Sequence, residues 1–382
     1  MKHWLSLSSA ALAAVIVGFA STILILMQAA QAIGATVAQQ ASMAAILCFM
    51  MAATSLILCL RYKMPIIIAW STPGAALIVG SAQGVTYSAA LGAFVFAGAL
   101  TVLAGLVRPL ERAIEKMPAA IASAMLAGVL LTYVLKVPPA AIAAPWLVLP
   151  LVLVFFSVRM IYPLYAVPII VVLGLVLAGF SGRMGPECCA VGLTAFTFEM
   201  PQFVWPVMLG IGVPLFLVTM ASQNLPGFAV LRAAGYQPPV SGSLLVTGLG
   251  SIISAPFGGH AVNMAAITAS LATGPDAHPD PTQRWKIAYP YFAFYVVVGL
   301  AAMSFVTILG ALPKELVAAI AGLALFSPLM SSITAMVKDG ADVEAAMVTF
   351  LVTASGVTMF GVGAAFWGLV VGLVVWGVRR LR

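Results

Sequence analysis

SAPFGGHAVNMAAIT, residues Ser254–Thr268, interrupts one of the long apolar segments that make up most of this chain. A proline and two glycines are followed by His260 and, three residues later, by Asn263. Backbone that leaves a helix inside a membrane must find hydrogen-bond partners or line a cavity. The pattern predicts a short extended piece at residues 253–257, followed by a half-helix that begins at Gly258–Gly259. His260 and Asn263 would then lie on one face of the first turn of this half-helix.

The composition predicts an all-α polytopic membrane protein. The chain has 382 residues, of which 63% are hydrophobic and 7% charged, and a soluble domain with so few charges could not cover its surface. A β-barrel requires alternating apolar and polar residues, and runs such as Leu91–Val107 and Val362–Val378 do not alternate. The N-terminal apolar run resembles a signal peptide ending at residues 30–32, but it exceeds the usual length of about 7–15 residues. We therefore expect it to form the first membrane span.

Hydropathy divides the chain into 14 predicted spans, at residues 10–31, 38–60, 66–82, 88–107, 117–136, 141–158, 163–180, 203–223, 240–256, 259–273, 287–309, 313–332, 342–356 and 359–378. With both termini in the cytoplasm, 14 of the 17 basic residues lie on the cytoplasmic side, and only Lys136, Arg183 and Lys314 lie outside. This asymmetry follows the positive-inside rule. It also accounts for the net charge of +7 without a nucleic-acid partner. A 12-span alternative would merge or drop short segments and reverse some loops.

The third predicted span carries a break like that of the tenth. It reads PIIIAWSTPGAALIVGS, residues Pro65–Ser81. Thr72 and Gly258 are 186 residues apart and Gln28 and Gln223 are 195 apart, each close to half of the chain. Two halves of seven spans have opposite orientations because seven is odd. The sequence therefore predicts a 7+7 inverted repeat, in which matched Gly/Pro breaks indicate the binding site.

Each break would place the start of a half-helix near the middle of the membrane. Ser71 or Thr72 is the candidate N-cap of the first half-helix, with Pro73 in its first turn. The extended pieces at 66–70 and 253–257 would pair with each other. Two facing helix N-termini would attract an anion without any Arg or Lys, and glycines would let the ligand approach the backbone. The alternative is that each break is a kink in an ordinary packed helix.

Few polar side chains are available to complete such a site. Asn224 and Asn263 are the only asparagines, and the ten acidic residues all map to loops or span ends. His260 is then the one group at mid-membrane that changes charge near neutral pH, which favours a monoanionic substrate. Alternatively, His260 is a structural histidine bonded to a backbone carbonyl, and residues 222–224 cap or end their helix. Three aromatic residues near the breaks would supply an aromatic wall: Phe19, Trp70 and Phe257.

No enzyme active site, metal site or cofactor site is predicted. The sequence shows no nucleophile–base pair, and its four cysteines lack metal-binding spacing and are interpreted as packing residues. Asp276, His278 and Asp280 lie together in a loop with three prolines. We interpret this loop as a structured gating or docking element on the cytoplasmic side rather than a metal site.

The segments SAPFGGHAVNMAAITASL and TGPDAHPDPTQRWKIA, residues 254–271 and 273–288, resemble the BenE family of bacterial benzoate/proton symporters. AWSTPGAALI, residues 69–78, resembles the same family. The resemblance covers the whole chain in length, span count and both breaks. It implies a protein of the bacterial inner membrane that imports benzoate or a similar aromatic carboxylate together with protons. The coupled proton would travel on His260 or on the carboxylate of the substrate itself.

More distantly, the chain resembles the uracil and nucleobase transporters. That architecture implies a core domain (residues 1–112 and 195–310) and a gate domain (113–190 and 311–382), often dimeric, with a short strand and a half-helix in the third and tenth spans. The implied substrate-binding residues are Gln28, Ser71, Thr72, Gly74, Ala75, Ser222, Gln223, Gly259, His260 and Asn263. The nucleobase relatives tend to carry glutamates on the eighth and tenth spans, which this chain lacks. The departure favours an anion over a nucleobase and makes His260 the candidate for proton coupling.

Two alternatives to a benzoate symporter stay open at this point. A symporter for a nucleobase or another small organic anion would share the fold, and a passive anion channel would share the site. Accumulation against a gradient distinguishes a symporter from a channel, and a panel of competing substrates distinguishes the symporters.

Overall fold

The computed structural model describes residues 2–82, 84–107, 119–185, 192–265, 268–338 and 342–380. Within these ranges the chain is mostly helical. The first part contains α1 Lys2–Ala20, α2 Ile23–Ala32, α3 Val37–Tyr62, β1 Ile68–Trp70, α4 Thr72–Ser81, α5 Tyr87–Leu106, α6 Ala119–Val134, α7 Val137–Ala143, α8 Pro145–Ile161 and α9 Ala166–Phe180. The second part contains α10 Trp205–Ala233, α11 Val240–Ser254, β2 Val262–Met264, α12 Thr268–Thr273, α13 Ala288–Leu300, α14 Ala302–Gly310, α15 Lys314–Ala324, α16 Phe326–Val337, α17 Val343–Ala354 and α18 Ala364–Arg380.

The helices make this a polytopic membrane protein. Among the described residues, seven helices are long and apolar enough to cross a bilayer. The number becomes eight if Pro281–Leu300 and Ala302–Gly310, which are bent by 55° at their junction, form one span. Shorter apolar helices, including α4 and α8, lie between the long ones.

Glycines set the contact between two long helices, α5 and α11, which pack along much of their lengths. A Cβ atom added to Gly248 of α11 would lie 2.8 Å from the backbone nitrogen of Val102, and one added to Gly98 of α5 would lie 3.1 Å from the carbonyl oxygen of Gly248. Small residues let helix backbones approach in a membrane, where van der Waals packing drives association. These glycines therefore fix α5 and α11 side by side, next to the tenth segment.

The third segment forms as the sequence predicts. Residues 68–70 are a short strand, and the half-helix α4 follows at once. Ser71 is its N-cap, with an extended backbone at φ −80° and ψ 92°, and Pro73 lies in the first turn. Both residue types favour these positions. A serine oxygen accepts hydrogen bonds from the free N–H groups of the first turn, and proline has no backbone N–H that would be left unpaired there.

The tenth segment differs from the prediction. Residues 253–257 complete α11 and a 3₁₀ turn, Ala255–Phe257, instead of forming an extended piece. The half-helix does not begin at Gly258–Gly259, because residues 259–265 are extended and include β2. The described part of the half-helix starts at Thr268. His260 and Asn263 therefore do not share a helical turn: His260 precedes the strand and Asn263 lies within it.

The eighth segment is also longer than predicted. The expected end at residue 223 is wrong, because α10 continues to Ala233. Two π-helical turns, Met208–Gly212 and Met220–Asn224, lie within it. Such turns insert one extra residue into a helix and are frequent at functional sites. The Ser222–Asn224 stretch therefore lies inside a helix and does not end one.

Candidate functional site

The two broken segments meet as an antiparallel pair of strands. Ala69 of β1 lies opposite Asn263 of β2, with Ile68 opposite Met264 and Trp70 opposite Val262. The pairing extends in both directions, since the Ser71 N–H donates to the Ala261 carbonyl (3.2 Å) and the Ala265 N–H donates to the Ile67 carbonyl (2.9 Å). Pairing between the breaks is therefore confirmed for residues 67–70 of the predicted 66–70, with 261–265 as the partner in place of 253–257.

Side chains from neighbouring helices satisfy the outer edges of both strands. The Ile68 N–H donates to Ser55 Oγ (2.9 Å), and the Ile68 carbonyl accepts from the Tyr291 hydroxyl (2.8 Å). On β2, the Val262 N–H donates to Ser251 Oγ (3.0 Å). Buried backbone groups without partners cost free energy, and a two-stranded pair has two open edges. These hydroxyls supply partners for backbone groups that no helix or neighbouring strand satisfies.

Ser71 connects the first half-helix to the rest of the site. Its Oγ accepts from the Gly74 N–H (3.1 Å) and lies 3.0 Å from Thr219 Oγ1 on α10. Its carbonyl accepts from the Ala75 N–H (2.8 Å). A Cβ atom on Gly74 would contact the Leu215 side chain and would lie 2.7 Å from Ser71 Oγ. Gly74 is thus needed for the close packing of α4 on α10.

His260 crosses from the second broken segment to the first. Its Nε2 lies 2.8 Å from the Ser71 carbonyl oxygen, and because a carbonyl only accepts, Nε2–H is the donor. The ring is fully buried, and within the described part of the chain Nδ1 has no hydrogen-bond partner. Phe94 packs edge-on against the imidazole with 6.2 Å between ring centroids. The predicted alternative, a histidine bonded to a backbone carbonyl, is correct for Nε2.

The two asparagines hold the backbone around the strand crossing. With its amide oriented so that both ends find partners, Asn263 accepts from the Ser71 N–H and donates to the Met264 carbonyl, each at 3.0 Å. Asn224 Oδ1 accepts from the Met264 N–H at 2.9 Å. Both side chains are fully buried. Asn263 therefore joins Ser71 and His260 in one network, and Asn224 fixes β2 from the second π turn of α10.

The glycines of the tenth segment pack against protein atoms. Gly258 has φ +99°, a left-handed conformation that favours glycine. A Cβ atom on Gly259 would lie 2.5 Å from both Cβ and Oγ of Ser254. The prediction that these glycines admit a ligand to the backbone is not supported by this geometry, since the space beside them is occupied by the chain's own Ser254, Met43 and Tyr87.

The other predicted substrate-binding residues do not all lie at the strand crossing. Gln28 lines a cavity of about 410 Å³ that includes neither Ser71 nor His260. Ser222 Oγ donates to the Val218 carbonyl of its own helix (2.6 Å). Thr72 and Gln223 are half-buried. Ser71, Gly74, Ala75, His260 and Asn263 are thus brought together with Thr72 beside them, while Gln28 belongs to a separate cavity.

Two of the three predicted aromatic residues form one cluster. The rings of Phe19 and Trp70 lie 5.8 Å apart, and Trp70 Nε1 donates to Thr22 Oγ1 (2.7 Å). Phe257 instead packs edge-on against Phe196 and Phe198. The expected common wall is therefore split.

The loop after α12 is structured, as predicted. Arg284 is buried and donates from Nε to the His278 carbonyl (2.8 Å) and from Nη1 to the Thr273 carbonyl (2.6 Å). Hydrogen bonds from Thr282 lower the pKa of the exposed Asp280. Within the part of the chain that the structure describes, no three His, Cys, Asp or Glu side chains group as a metal site. Cys188 and Cys189 lie outside the described residues.

Thr219, Ser55, Ser251 and Tyr291 support the site, and the sequence analysis did not identify them. Each is a polar residue on a helix that also buries apolar residues, so hydropathy alone does not separate it from its neighbours. A helical-face analysis would have found Thr219, which lies one helical turn before the predicted Ser222–Gln223 pair and on the same face. The other three can be assigned only once the strand pair is known.

Two broken segments that meet inside a polytopic helical membrane protein are typical of the secondary-transporter folds. Comparison with solved structures agrees: the fold matches the transmembrane domain of a cyanobacterial bicarbonate transporter, BicA, with a TM-score of 0.60 at 15% identity, over 97% of this chain and 98% of that one.

Sequence comparison identifies the family. The model of the BenE family, described as benzoate membrane transport protein, matches residues 3–378, so the chain belongs to the BenE family. It is 39% identical to the inner membrane protein YdcO of Escherichia coli, over 96% of this chain and 94% of that protein. It is 31% identical to the benzoate membrane transport protein of Acinetobacter baylyi, over 98% and 95%.

Proposed function

We propose that this protein is a secondary active transporter that imports benzoate or a similar aromatic carboxylate together with protons across the bacterial inner membrane. The Acinetobacter relative is named for benzoate transport and is similar along almost its whole length. The observation that carries the proposal is the environment of His260: a fully buried imidazole with one nitrogen bonded to the start of a half-helix and the other without a partner.

The carboxylate binds at the N-terminal end of α4, next to His260 Nδ1. Pro73 has no N–H, and Ser71 occupies the N–H groups of Gly74 and Ala75, which leaves Thr72 to donate from the first turn. The positive end of the helix dipole favours an anion there. A proton on Nδ1 would turn the imidazole into a cation and so add positive charge beside the start of α4.

Proton coupling follows from this geometry. A buried cation is costly without a counter-charge, so a carboxylate beside the ring stabilises the proton on Nδ1, and the proton stabilises the carboxylate. By linkage each ligand raises the affinity for the other by the same factor. Among the described residues no carboxylate forms an ion pair with His260. The substrate is therefore the natural partner for the charged ring.

We further propose that the chain is a 7+7 inverted repeat of 14 segments. The helix packing supports this: when each helix is replaced by its counterpart in the other half, the helix pairs that contact each other are again pairs in contact. The contact of α5 with α11 corresponds to that of α13 with α3, and the contact of α1 with α12 corresponds to that of α10 with α4. The antiparallel direction of β1 and β2 fits the same exchange.

The proposal includes a core domain of residues 1–112 and 195–310, and a gate domain of residues 113–190 and 311–382. Helices α1, α3, α5, α11 and α13 pack among themselves, as do α6, α16, α17 and α18. Core and gate would move against each other to alternate access, with both termini in the cytoplasm. We also propose that the gate helices form a homodimer, which light scattering of the purified protein tests.

Uptake in proteoliposomes tests the function. With an inward-directed proton gradient, we expect labelled benzoate to accumulate above its external concentration and a protonophore to abolish the accumulation. Equilibration without accumulation would identify a channel. Counterflow with unlabelled benzoate, uracil and succinate then tests the substrate class. We expect benzoate to drive the exchange, and exchange driven by uracil instead would overturn the proposed substrate.

A further inference from the structure

A cavity separate from the strand crossing opens between two groups of helices. It has a volume of about 410 Å³ and is lined from α2, α4, α14, α15 and the turn between α6 and α7. Small-molecule sites commonly occupy about 300–1,000 Å³, so the cavity is large enough for an aromatic acid. We name it the lysine vestibule, after two of its lining residues, Lys136 and Lys314.

The two lysines give the vestibule a positive charge. They are two of only three basic residues on the face that the sequence places outside, and both also line an adjoining cavity of about 380 Å³. Glu315 is the one carboxylate that lines the adjoining cavity. Within the described ranges the single ion pair is that of Arg379 with Glu344, so no carboxylate oxygen neutralises either lysine within 4 Å.

The rest of the lining suits an aromatic carboxylate. Gln28 and Gln31 are one helical turn apart on α2 and therefore present their amides from the same face. The other walls are apolar: Leu24, Met27, Val79, Leu309, Leu312 and Val317. An apolar wall accepts a ring, while amide and ammonium groups donate hydrogen bonds to carboxylate oxygens. The sequence contains no comparable pairing of lysines with glutamines elsewhere on this face.

The vestibule and the His260 site are distinct and lie at opposite ends of α4. Val79 lies in the last turn of α4 and Ser71 is its N-cap, and eight residues of helix span about 12 Å. Both places touch the same half-helix from opposite ends. A ligand that enters from the side of Lys136 and Lys314 would meet the vestibule first.

We propose that the lysine vestibule is an entry site, where an aromatic carboxylate binds before it reaches His260. This inference rests on the proposed function. The positive charge raises the local concentration of anions and speeds their capture, an effect that salt screens. The apolar walls hold the ring, and Gln28 acts here instead of in the central site.

Uptake kinetics provide the first test. In the double variant Lys136→Gln/Lys314→Gln we expect the KM for benzoate to rise about fivefold at low ionic strength, with a smaller effect on the maximum rate, and the difference from wild type to shrink in high salt. Arg183→Gln is the matched control, because it removes the third outside cation without touching either cavity. If the double variant and the control have the same KM, the entry site is refuted.

Cysteine labelling tests the vestibule independently of transport. With the four native cysteines replaced by alanine, Gln31→Cys is labelled in detergent by an anionic and by a cationic methanethiosulfonate of similar size. We expect the ratio of anionic to cationic rates to fall about fivefold when Lys136→Gln/Lys314→Gln is added, and benzoate to slow labelling. An unchanged ratio refutes the vestibule even if benzoate is transported. If the double variant shows the expected fall in the labelling ratio but the wild-type protein does not accumulate benzoate, only the proposed function is refuted.

Discussion

The imidazole of His260 donates from Nε2 to the carbonyl oxygen of Ser71, at 2.8 Å, across 189 residues of sequence. Ser71 caps the first half-helix, so a residue of the second broken segment holds the start of the first. The same side chain keeps Nδ1 buried without a partner. Any movement of one broken segment against the other must therefore change the surroundings of this ring.

Replacement of His260 by glutamine separates its two nitrogens. The glutamine amide can still donate toward the Ser71 carbonyl, but it takes up no proton near neutral pH. We expect His260→Gln to keep benzoate counterflow within about threefold of wild type and to lose more than about tenfold of proton-driven accumulation. The measurement compares both modes in the same proteoliposomes between pH 5.5 and 8.

His260→Ala is the companion variant, because it removes the bond to Ser71 as well. We expect it to lose counterflow and also about 1–3 kcal/mol of stability, since the Ser71 carbonyl loses a buried partner. A His260→Gln protein that accumulates benzoate with the wild-type pH profile would refute the coupling role.

The glycines of α4 provide a second prediction. Gly74→Ala forces a methyl group against Leu215 and to within 2.7 Å of Ser71 Oγ, and overpacking of this kind costs about 1–3 kcal/mol. We expect a lower midpoint of thermal unfolding in detergent and weaker benzoate binding. Gly80→Ala on the same helix is the control, because its Cβ meets only Val129 at 3.9 Å. Equal unfolding midpoints for the two variants would contradict the packing of α4 on α10.

The contrast between the two broken segments shows how much of this site the sequence predicts. Ser-Thr-Pro-Gly at residues 71–74 is a local signal, since cap, proline and glycine each have one favoured place in a first turn. Gly258–Gly259 carries no such signal, because glycine suits a turn, a strand entry or a helix start. Whether 259–265 is strand or helix depends on β1, nearly 200 residues away. The strand was therefore misassigned, although the pairing of the breaks was not.

The eighth segment shows the same limit. Asn224 was identified as one of two asparagines, but its role follows from a π turn, which has no sequence signature of its own. The turn places Oδ1 2.9 Å from the Met264 N–H. Gln28, which the family resemblance implies for the substrate site, lines the vestibule instead. Local chemistry thus selects the polar residues, and tertiary geometry decides which cavity each one serves.

Asn224 provides a third prediction because it acts on β2 and not on a ligand. Asn224→Ala leaves the buried Met264 N–H without its acceptor, which costs about 1–3 kcal/mol. We expect lower thermal stability and transport reduced by more than about fivefold. Thr101→Val is a control of similar burial, whose hydroxyl bonds only to the Ala97 carbonyl of its own helix. Wild-type transport in Asn224→Ala would show that β2 keeps its position without this bond.

Arg284 provides the last prediction, at the far end of the second half-helix. Its guanidinium joins the carbonyl of Thr273, the last residue of α12, to the carbonyl of His278 in the following loop. The planar guanidinium of arginine reaches both carbonyl oxygens at once, whereas a lysine offers one ammonium group. Arg284→Lys therefore keeps the positive charge but loses the bridge. We expect faster hydrogen exchange in residues 274–283 and a lower rate of transport. Lys286→Gln changes a charge two residues away, where the structure gives the ammonium only the ring of Trp285 at 6.0 Å. If Lys286→Gln loosens the loop as much as Arg284→Lys does, the loop depends on charge and not on the bridge to α12.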